Sequence, residues 1–295
     1  MHYRFTRFSL TVVTALVLLL VIMVGLAACG SNDTATTTTA SSPETTIPPD
    51  AGNTSTTEAA LSLDGVELTI SAASSLKSAF TDIGAAFDAA NGSTTVFNFD
   101  ASGTLQKQIE AGAPVDVFAS ASPKQVYALL EGKFLDADSI RDFAGNEIVI
   151  LLPANSTLAI SSFEDLTKDD VKKIAYGDPA AAPHGVAAEE ILTTLDLMDQ
   201  IKPKVIYAAN ASQTMEYITS AEVDVAIAFA SEAINGGDKV KVVATSQADW
   251  HSAIVYPLGI ISDSKEKSAA QAFVDFVLGP EGQSILEKYG FEPAP

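Results

Sequence analysis

The stretch VELTISAASSLKSAF, from Val66 to Phe80, joins a short β-branched run to the start of an amphipathic helix. Beyond the turn, apolar residues recur at alternating spacings of three and four, which predicts a helix with one buried face. These residues are Leu76, Ala79, Phe80, Ile83, Ala86, Phe87 and Ala90. Asn91-Gly92 is a typical helix end. The turn between strand and helix holds only small residues, with Ser74 and Ser75 side by side.

The same alternation of strand and helix continues along the chain. Short β-branched runs such as TTVFNF, VDVFAS, EIVILL, KIAYG, KVIYAA and DVAIAFA are separated by helical stretches. Strands that alternate with helices of this length indicate βαβ units and an α/β fold with a mostly parallel sheet.

Four strand-to-helix turns share an unusual composition of small, hydroxyl-bearing or glycine residues. They are residues 72–75, 100–104, 177–185 and 210–214. In open α/β sheets, ligands bind beyond the carboxyl ends of the strands, where helix N-termini offer N–H groups and a positive dipole end to an anion. The alternative is that these residues only cap their helices. We expect a shared anion pocket, with capping left open for each single turn.

The N-terminal region predicts export and lipidation. Arg4 and Arg7 precede an apolar run that ends in Leu26-Ala27-Ala28-Cys29, which is typical of a lipoprotein signal peptide over residues 1–28. A transmembrane helix is the alternative. Residues 29–64 then comprise the lipidated Cys29 and a tether rich in Thr, Ser and Pro, which we expect to be disordered. We therefore expect an extracytoplasmic protein anchored to the cell membrane.

Composition excludes several function classes. The net charge of −20, with 37 acidic residues against 17 basic ones, disfavours nucleic-acid binding. Cys29 is the only cysteine, and no metal-ligand spacing or G-x-S-x-G nucleophile motif occurs. We expect no enzyme activity, no cofactor, no bound metal ion and a monomer. Arg141 is the only arginine after the signal peptide and lies outside the four turns, which disfavours a carboxylate ligand.

From about Val66 to Phe291 the chain resembles the periplasmic molybdate-binding proteins of ABC importers. The similar segments are ISAASSLKSAF, FDASGTLQKQIEAGAPVDVFASAS, IAYGDPAAAPHGVAAEEIL, KVKVVAT, YPLGII and FVDFVLGPEGQSILEKYGF. The resemblance implies a two-lobed periplasmic-binding-protein fold of type II. Lobe one would comprise residues 65–145, lobe two residues 146–261, and residues 262–295 would return as C-terminal helices to lobe one, with EIVILL and AIVYPLGII as crossover strands.

The resemblance also implies the residues that contact the ligand. Ser75 and Ser102 would bind an oxyanion through hydroxyl and amide, while Ser74 would let the backbone turn tightly. His184 and Thr214 would each offer a backbone N–H, and Phe229 stands where many relatives have a tyrosine hydroxyl. The His184 ring could replace that hydroxyl or point to solvent. The partners would be molybdate or tungstate and an ABC permease.

The chemistry of the oxyanions leaves alternatives open. Molybdate and tungstate only accept hydrogen bonds at neutral pH, so a pocket of N–H and O–H donors suits them and disfavours a protonated phosphate. Sulfate also only accepts, and must be rejected by size. Asp100 would favour phosphate if it faced the pocket, although we expect it to cap the next helix. Binding of sulfate or phosphate, an enzyme, and a structural lipoprotein without ligand are the alternatives.

Overall fold

The computed structural model describes residues 63–295. The predicted signal peptide, Cys29 and the tether up to residue 62 lie outside the described residues. Within residues 63–295, no helix is both long and apolar enough to cross a bilayer.

The described part of the chain contains ten strands, which form two five-stranded sheets. The strands are β1 (Glu67–Ala73), β2 (Thr94–Asp100), β3 (Val117–Ala119), β4 (Arg141–Asn146), β5 (Ile148–Pro153), β6 (Ile174–Gly177), β7 (Val205–Ala208), β8 (Val225–Phe229), β9 (Val240–Thr245) and β10 (Ile254–Ile260).

The helices of residues 63–295 cover the faces of the two sheets. They are α1 (Lys77–Asn91), α2 (Ser102–Glu110), α3 (Pro123–Glu131), α4 (Pro183–Thr194), α5 (Met198–Ile201), α6 (Ala211–Thr219), α7 (Ala230–Gly236), α8 (Lys267–Leu278) and α9 (Pro280–Lys288). A short 3-10 turn, Ser74–Leu76, precedes α1, and Gly92 ends α1 as predicted, in the left-handed conformation (φ 73°) that glycine adopts readily.

Lobe one contains the first sheet, in the order β2-β1-β3-β10-β4. Strand β1 pairs in parallel with β2 and β3, whereas β10 pairs antiparallel with β3 and β4. Lobe two contains the second sheet, in the order β7-β6-β8-β5-β9. Strand β6 is parallel to β7 and β8, and β5 is antiparallel to β8 and β9. The two-lobed α/β architecture is confirmed.

Each sheet is mixed, where we expected mostly parallel strands. The antiparallel pairings all involve β5 or β10, the two strands that we expected to act as crossovers. The chain leaves lobe one at Asn146 and enters β5 at Ile148, with Glu147 between them. Parallel pairing of successive strands needs a crossover connection, which is usually a helix. A strand that enters a sheet directly from the other lobe has no such helix and therefore pairs antiparallel.

The expected boundary of lobe two at residue 261 is wrong for its last strand. Strand β10, Ile254–Ile260, forms hydrogen bonds with β3 and β4 and so belongs to the first sheet. The second sheet ends with β9 at Thr245. Strand pairing between residues more than a hundred positions apart leaves no local pattern in the sequence. The sequence analysis therefore assigned this strand to lobe two instead of lobe one.

The C-terminal helices α8 and α9 pack on α1 of lobe one. Phe273 of α8 is fully buried, and its ring contacts Phe80 and Phe87 of α1, at centroid distances of 6.0 and 5.3 Å. Lys288 of α9 donates a hydrogen bond of 2.8 Å to Asp82 of the same helix. The aromatic cluster thus fastens the end of the chain to the helix that follows the first strand.

We predict that Phe273→Ala lowers the free energy of unfolding by about 3–5 kcal/mol, because it leaves a cavity among the phenylalanines of α1 and α8. Urea unfolding of the purified protein measures this change. Tyr127→Ala, at a side chain that is 59% exposed, is the control and should change stability by no more than about 0.5 kcal/mol. Equal losses in the two variants would contradict the packing of α8.

Candidate functional site

The four turns selected from the sequence meet at one small cavity between the lobes. In this closed arrangement the cavity leaves about 10 Å³ for the centres of water-sized atoms, roughly the space that one water molecule needs. The lining residues are Ala73, Ser74, Ser75, Asp100, Ala101, Ser102, Ala121, Ala182, Pro183, His184, Ala211 and Phe229. This set contains no lysine and no arginine, so an anion here would be held by dipoles and hydrogen bonds.

Helix starts supply the donors of this cavity. Helix α2 begins at Ser102, and α4 begins at Pro183. The first N–H groups of a helix have no acceptor within it, and the helix dipole makes that end positive. Because proline has no N–H, the first donor of α4 is the N–H of His184. The cavity therefore combines two helix N-termini with serine hydroxyls.

The predicted residues Ser75 and Ser102 both line the cavity and are buried, at 2% and 0% exposure. Ser102 Oγ accepts a hydrogen bond of 3.0 Å from the N–H of Ala121. Ser75 Oγ lies 3.1 Å from the hydroxyl of Tyr256. The oxygen of Ser102 is thus already used as an acceptor, which leaves its proton for a ligand.

Direct hydrogen bonds close the two lobes around the cavity. Ser74 Oγ of lobe one accepts from the N–H of Ala211, at the start of α6, over 3.0 Å. Ser74 thus has a role beyond the tight turn that the sequence predicted. The N–H of Gly103 donates to the carbonyl of Ala181 over 2.9 Å. These bonds describe a closed arrangement of the lobes.

Asp100 forms another bond between the lobes. Its Oδ1 accepts from Asn210 Nδ2 over 2.9 Å and from the N–H of Ala101 over 2.7 Å. The prediction that Asp100 caps α2 is wrong, because that helix has no side-chain cap. Asp100 also lines the cavity, although its Oδ1 is held by these two donors. The hydrogen bond from Asn210 of lobe two, 110 residues further along the chain, fixes the orientation of the Asp100 side chain.

His184 is buried, at 1% exposure, and its ring packs against Phe229 with centroids 5.5 Å apart. Nε2 lies 3.0 Å from Thr214 Oγ1, which is 3.3 Å from the carbonyl of Asn210. Both bonds form when Nε2–H donates to the hydroxyl and the hydroxyl donates to the carbonyl. The ring therefore does not point to solvent, and its Nε2 proton is not available to replace a tyrosine hydroxyl.

The prediction for the backbone of Thr214 is wrong. Its N–H donates to the carbonyl of Asn210 over 3.1 Å inside α6, and Thr214 does not line the cavity. Thr214 instead holds the ring of His184. Ala211, at the start of the same helix, occupies the cavity wall. The sequence placed the contact in the right turn but one helical turn too far along.

Two further residues at the site escaped sequence analysis. Phe229 lines the cavity as predicted and offers no donor, but Tyr256 lies behind it, with ring centroids 5.7 Å apart. Tyr256 is fully buried and bonded to Ser75. Asn146, at the end of β4, donates to the Tyr256 hydroxyl over 3.3 Å. The only signal was the buried character of the strands that carry them, because their partners lie far away in the chain.

Residues 68–292 match the sequence model of a protein family, the bacterial extracellular solute-binding proteins. The chain belongs to this family. It is thus an extracytoplasmic solute-binding protein, and the family is one of binding proteins rather than enzymes. Within residues 63–295, no group of three or more His, Cys, Asp and Glu side chains is placed to hold a metal ion.

Three known proteins are similar to this chain over most of their length. The protein named ABC transporter substrate-binding lipoprotein YvgL of Bacillus subtilis is 35% identical over 82% of this chain and 92% of its own. The molybdate-binding protein ModA of Escherichia coli is 32% identical over 77% of this chain and 90% of its own. A solved substrate-binding domain of a molybdenum ABC transporter from Clostridium difficile is 39% identical, with a TM-score of 0.63, over 78% of this chain and 100% of its own.

We predict that Gly103→Ala prevents the closed arrangement of this solute-binding protein. A Cβ at this position would lie 2.8 Å from the carbonyl oxygen of Ala181, which is backbone of the other lobe, so the backbone must shift to relieve the clash. The lobes should therefore separate, and small-angle X-ray scattering should show a larger radius of gyration than the closed form has. An unchanged radius would contradict the close approach.

We predict that His184 destabilises the protein in acid. Burial lowers the pKa of His184 from its ordinary 6.5 to about 4, so the unfolded chain takes up a proton at higher pH than the folded one. The free energy of unfolding should fall as the pH decreases from 6.5 to about 4, by about 3 kcal/mol from this group. Urea unfolding at both pH values should show that wild type loses more stability, or gains less, than His184→Gln by this amount, because every other titrating group, including buried Glu232 with its raised pKa, acts alike in both proteins.

His251→Gln is the control, since His251 lies away from the cavity, beside Ser246. This variant should retain the acid loss that His184 causes. A wild-type protein and a His184→Gln variant with parallel pH dependence would contradict the burial of a neutral His184.

Proposed function

We propose that this protein captures molybdate or tungstate between its two lobes and delivers the ion to the permease of an ABC importer. The observation that supports this most is the cavity itself, which offers hydroxyls and helix N-termini and no cationic side chain. Such a set of donors matches a dianion that accepts hydrogen bonds and donates none. The names of relatives that bind molybdate agree with this chemistry.

The proposed contacts follow the predicted residues, with one change. Ser75 and Ser102 would donate through their hydroxyls, and His184 would donate through its backbone N–H at the start of α4. Ala211 replaces Thr214 at the wall of the cavity. Phe229 would contribute shape and no hydrogen bond.

The anchor and the partner also belong to the proposal. Cys29, after the predicted signal peptide, would carry the lipid, and residues 30–62 would tether the binding domain to the membrane. The relative YvgL bears the name of a lipoprotein. We propose that the protein acts as a monomer whose closed form docks on the permease, with no bond made or broken in the bound ion.

We predict that calorimetric titration of the purified full chain in detergent detects tight binding of molybdate and tungstate and no binding of sulfate or phosphate. Ser102→Ala should lower molybdate affinity by about tenfold or more, because it removes one donor to a charged ligand. Ser71→Ala is a matched control, since Ser71 is buried in β1 at 1% exposure but does not line the cavity.

The other outcomes decide against the proposal in different ways. Phosphate binding in place of molybdate would make Asp100 an acceptor for a protonated ligand. Sulfate binding would show that the cavity selects a smaller ion. Binding of none of the four ions would overturn the proposed function.

A further inference from the structure

The side-chain amide of Asn146 has one possible orientation. Its Oδ1 accepts from the N–H of Glu147 over 3.0 Å and from the N–H of Ser231 over 3.3 Å. Both partners are backbone donors, so the atom that faces them must be the oxygen. Nδ2 then faces the other way and donates to Ser231 Oγ over 2.8 Å and to the Tyr256 hydroxyl over 3.3 Å. All hydrogen-bonding groups of this buried amide are used.

The orientation of Asn146 determines which way the Tyr256 hydroxyl donates. An amide nitrogen only donates, so the tyrosine oxygen accepts from Asn146. The single proton of Tyr256 is then directed to its other partner, Ser75 Oγ, over 3.1 Å. Burial raises the pKa of Tyr256, so the hydroxyl keeps its proton over the whole range in which the protein works.

Ser75 is the end of this chain of hydrogen bonds. Its oxygen accepts from Tyr256, and its own proton has no acceptor within residues 63–295. Ser75 lines the cavity, so this proton is available there. Ser102 reaches the same condition by accepting from the N–H of Ala121. Both serines thus face the cavity as donors, one directed by backbone and the other by Tyr256.

We infer that Tyr256, oriented by Asn146, is a positioning residue that keeps Ser75 a donor and thereby makes the site select oxyanions without a proton. The inference rests on the proposed function and extends it. If the Tyr256 oxygen could accept from Ser75 instead of donating to it, the Ser75 proton could turn toward Tyr256. The Ser75 oxygen could then accept a hydrogen bond from a protonated ligand. Hydrogen arsenate is such a ligand, because it carries the same double negative charge as molybdate together with one O–H.

The test measures molybdate and hydrogen arsenate affinities of the full chain at mildly alkaline pH, by calorimetry. Tyr256→Phe keeps the ring and removes the hydroxyl. We expect it to weaken molybdate binding by about tenfold, to leave hydrogen arsenate binding unchanged or stronger, and so to lower the ratio of the two affinities. Tyr176→Phe, at another fully buried tyrosine that does not line the cavity, should leave the ratio unchanged.

A double-mutant cycle separates this role from a merely structural one. In a Ser75→Ala background, Tyr256→Phe should change molybdate affinity by less than about twofold, because the residue through which it acts is gone. The same loss in both backgrounds would overturn the inference. Absence of molybdate binding in the wild type would instead overturn the proposed function, so the two failures are distinguishable.

A second variant keeps the test decisive if Tyr256→Phe does not fold. Asn146→Asp has nearly the same shape, but a carboxylate accepts the Tyr256 proton and leaves Ser75 without its donor. The added charge acts on both dianions alike, so it cancels in the ratio of affinities. We expect the ratio of molybdate to hydrogen arsenate affinity to fall. An unchanged ratio would overturn the inference.

Discussion

No lysine or arginine lines the cavity between the lobes, and this absence determines how the rest of the site can bind an anion. An anion that moves from water into a buried site loses its hydration shell, and interactions with the protein must replace it. Where no cation is present, hydrogen-bond donors that are already oriented must provide these interactions. Helix N-termini provide such donors at Ser102 and His184, and one short turn places the hydroxyls of Ser74 and Ser75 beside them.

Each hydroxyl at the cavity is made a donor by a different part of the fold. Backbone N–H groups supply one bond to Ser102 and one to Ser74. Ser75 depends on Tyr256 and, through it, on Asn146, which lies where the chain passes from the first sheet to the second. Since Ser231 of lobe two also binds Asn146, the site and the connection between the lobes share one network of hydrogen bonds.

Sequence analysis predicted what local patterns determine. The run from Val66 to Phe80 gave the first strand, the serine turn and α1, and the composition of the turns located the cavity. What it missed depends on contacts between distant residues. The pairing of β10 with β4, the bond from Asn210 to Asp100 and the bond from Tyr256 to Ser75 each join residues more than a hundred positions apart. The fourth strand-to-helix turn was chosen correctly, but the predicted contact at Thr214 lies one helical turn too far along α6.

A crystal structure of the protein with tungstate tests the central claim most directly, because anomalous scattering from tungsten locates the ion without ambiguity. We expect one tungsten site in the cavity, with its oxygens within hydrogen-bond distance of the Ser75 and Ser102 hydroxyls and the N–H of His184, and no cationic side chain beside them. An ion bound at the surface, or one paired with a lysine that moves into the cavity, would contradict a site that binds its ion through oriented donors and without a cation.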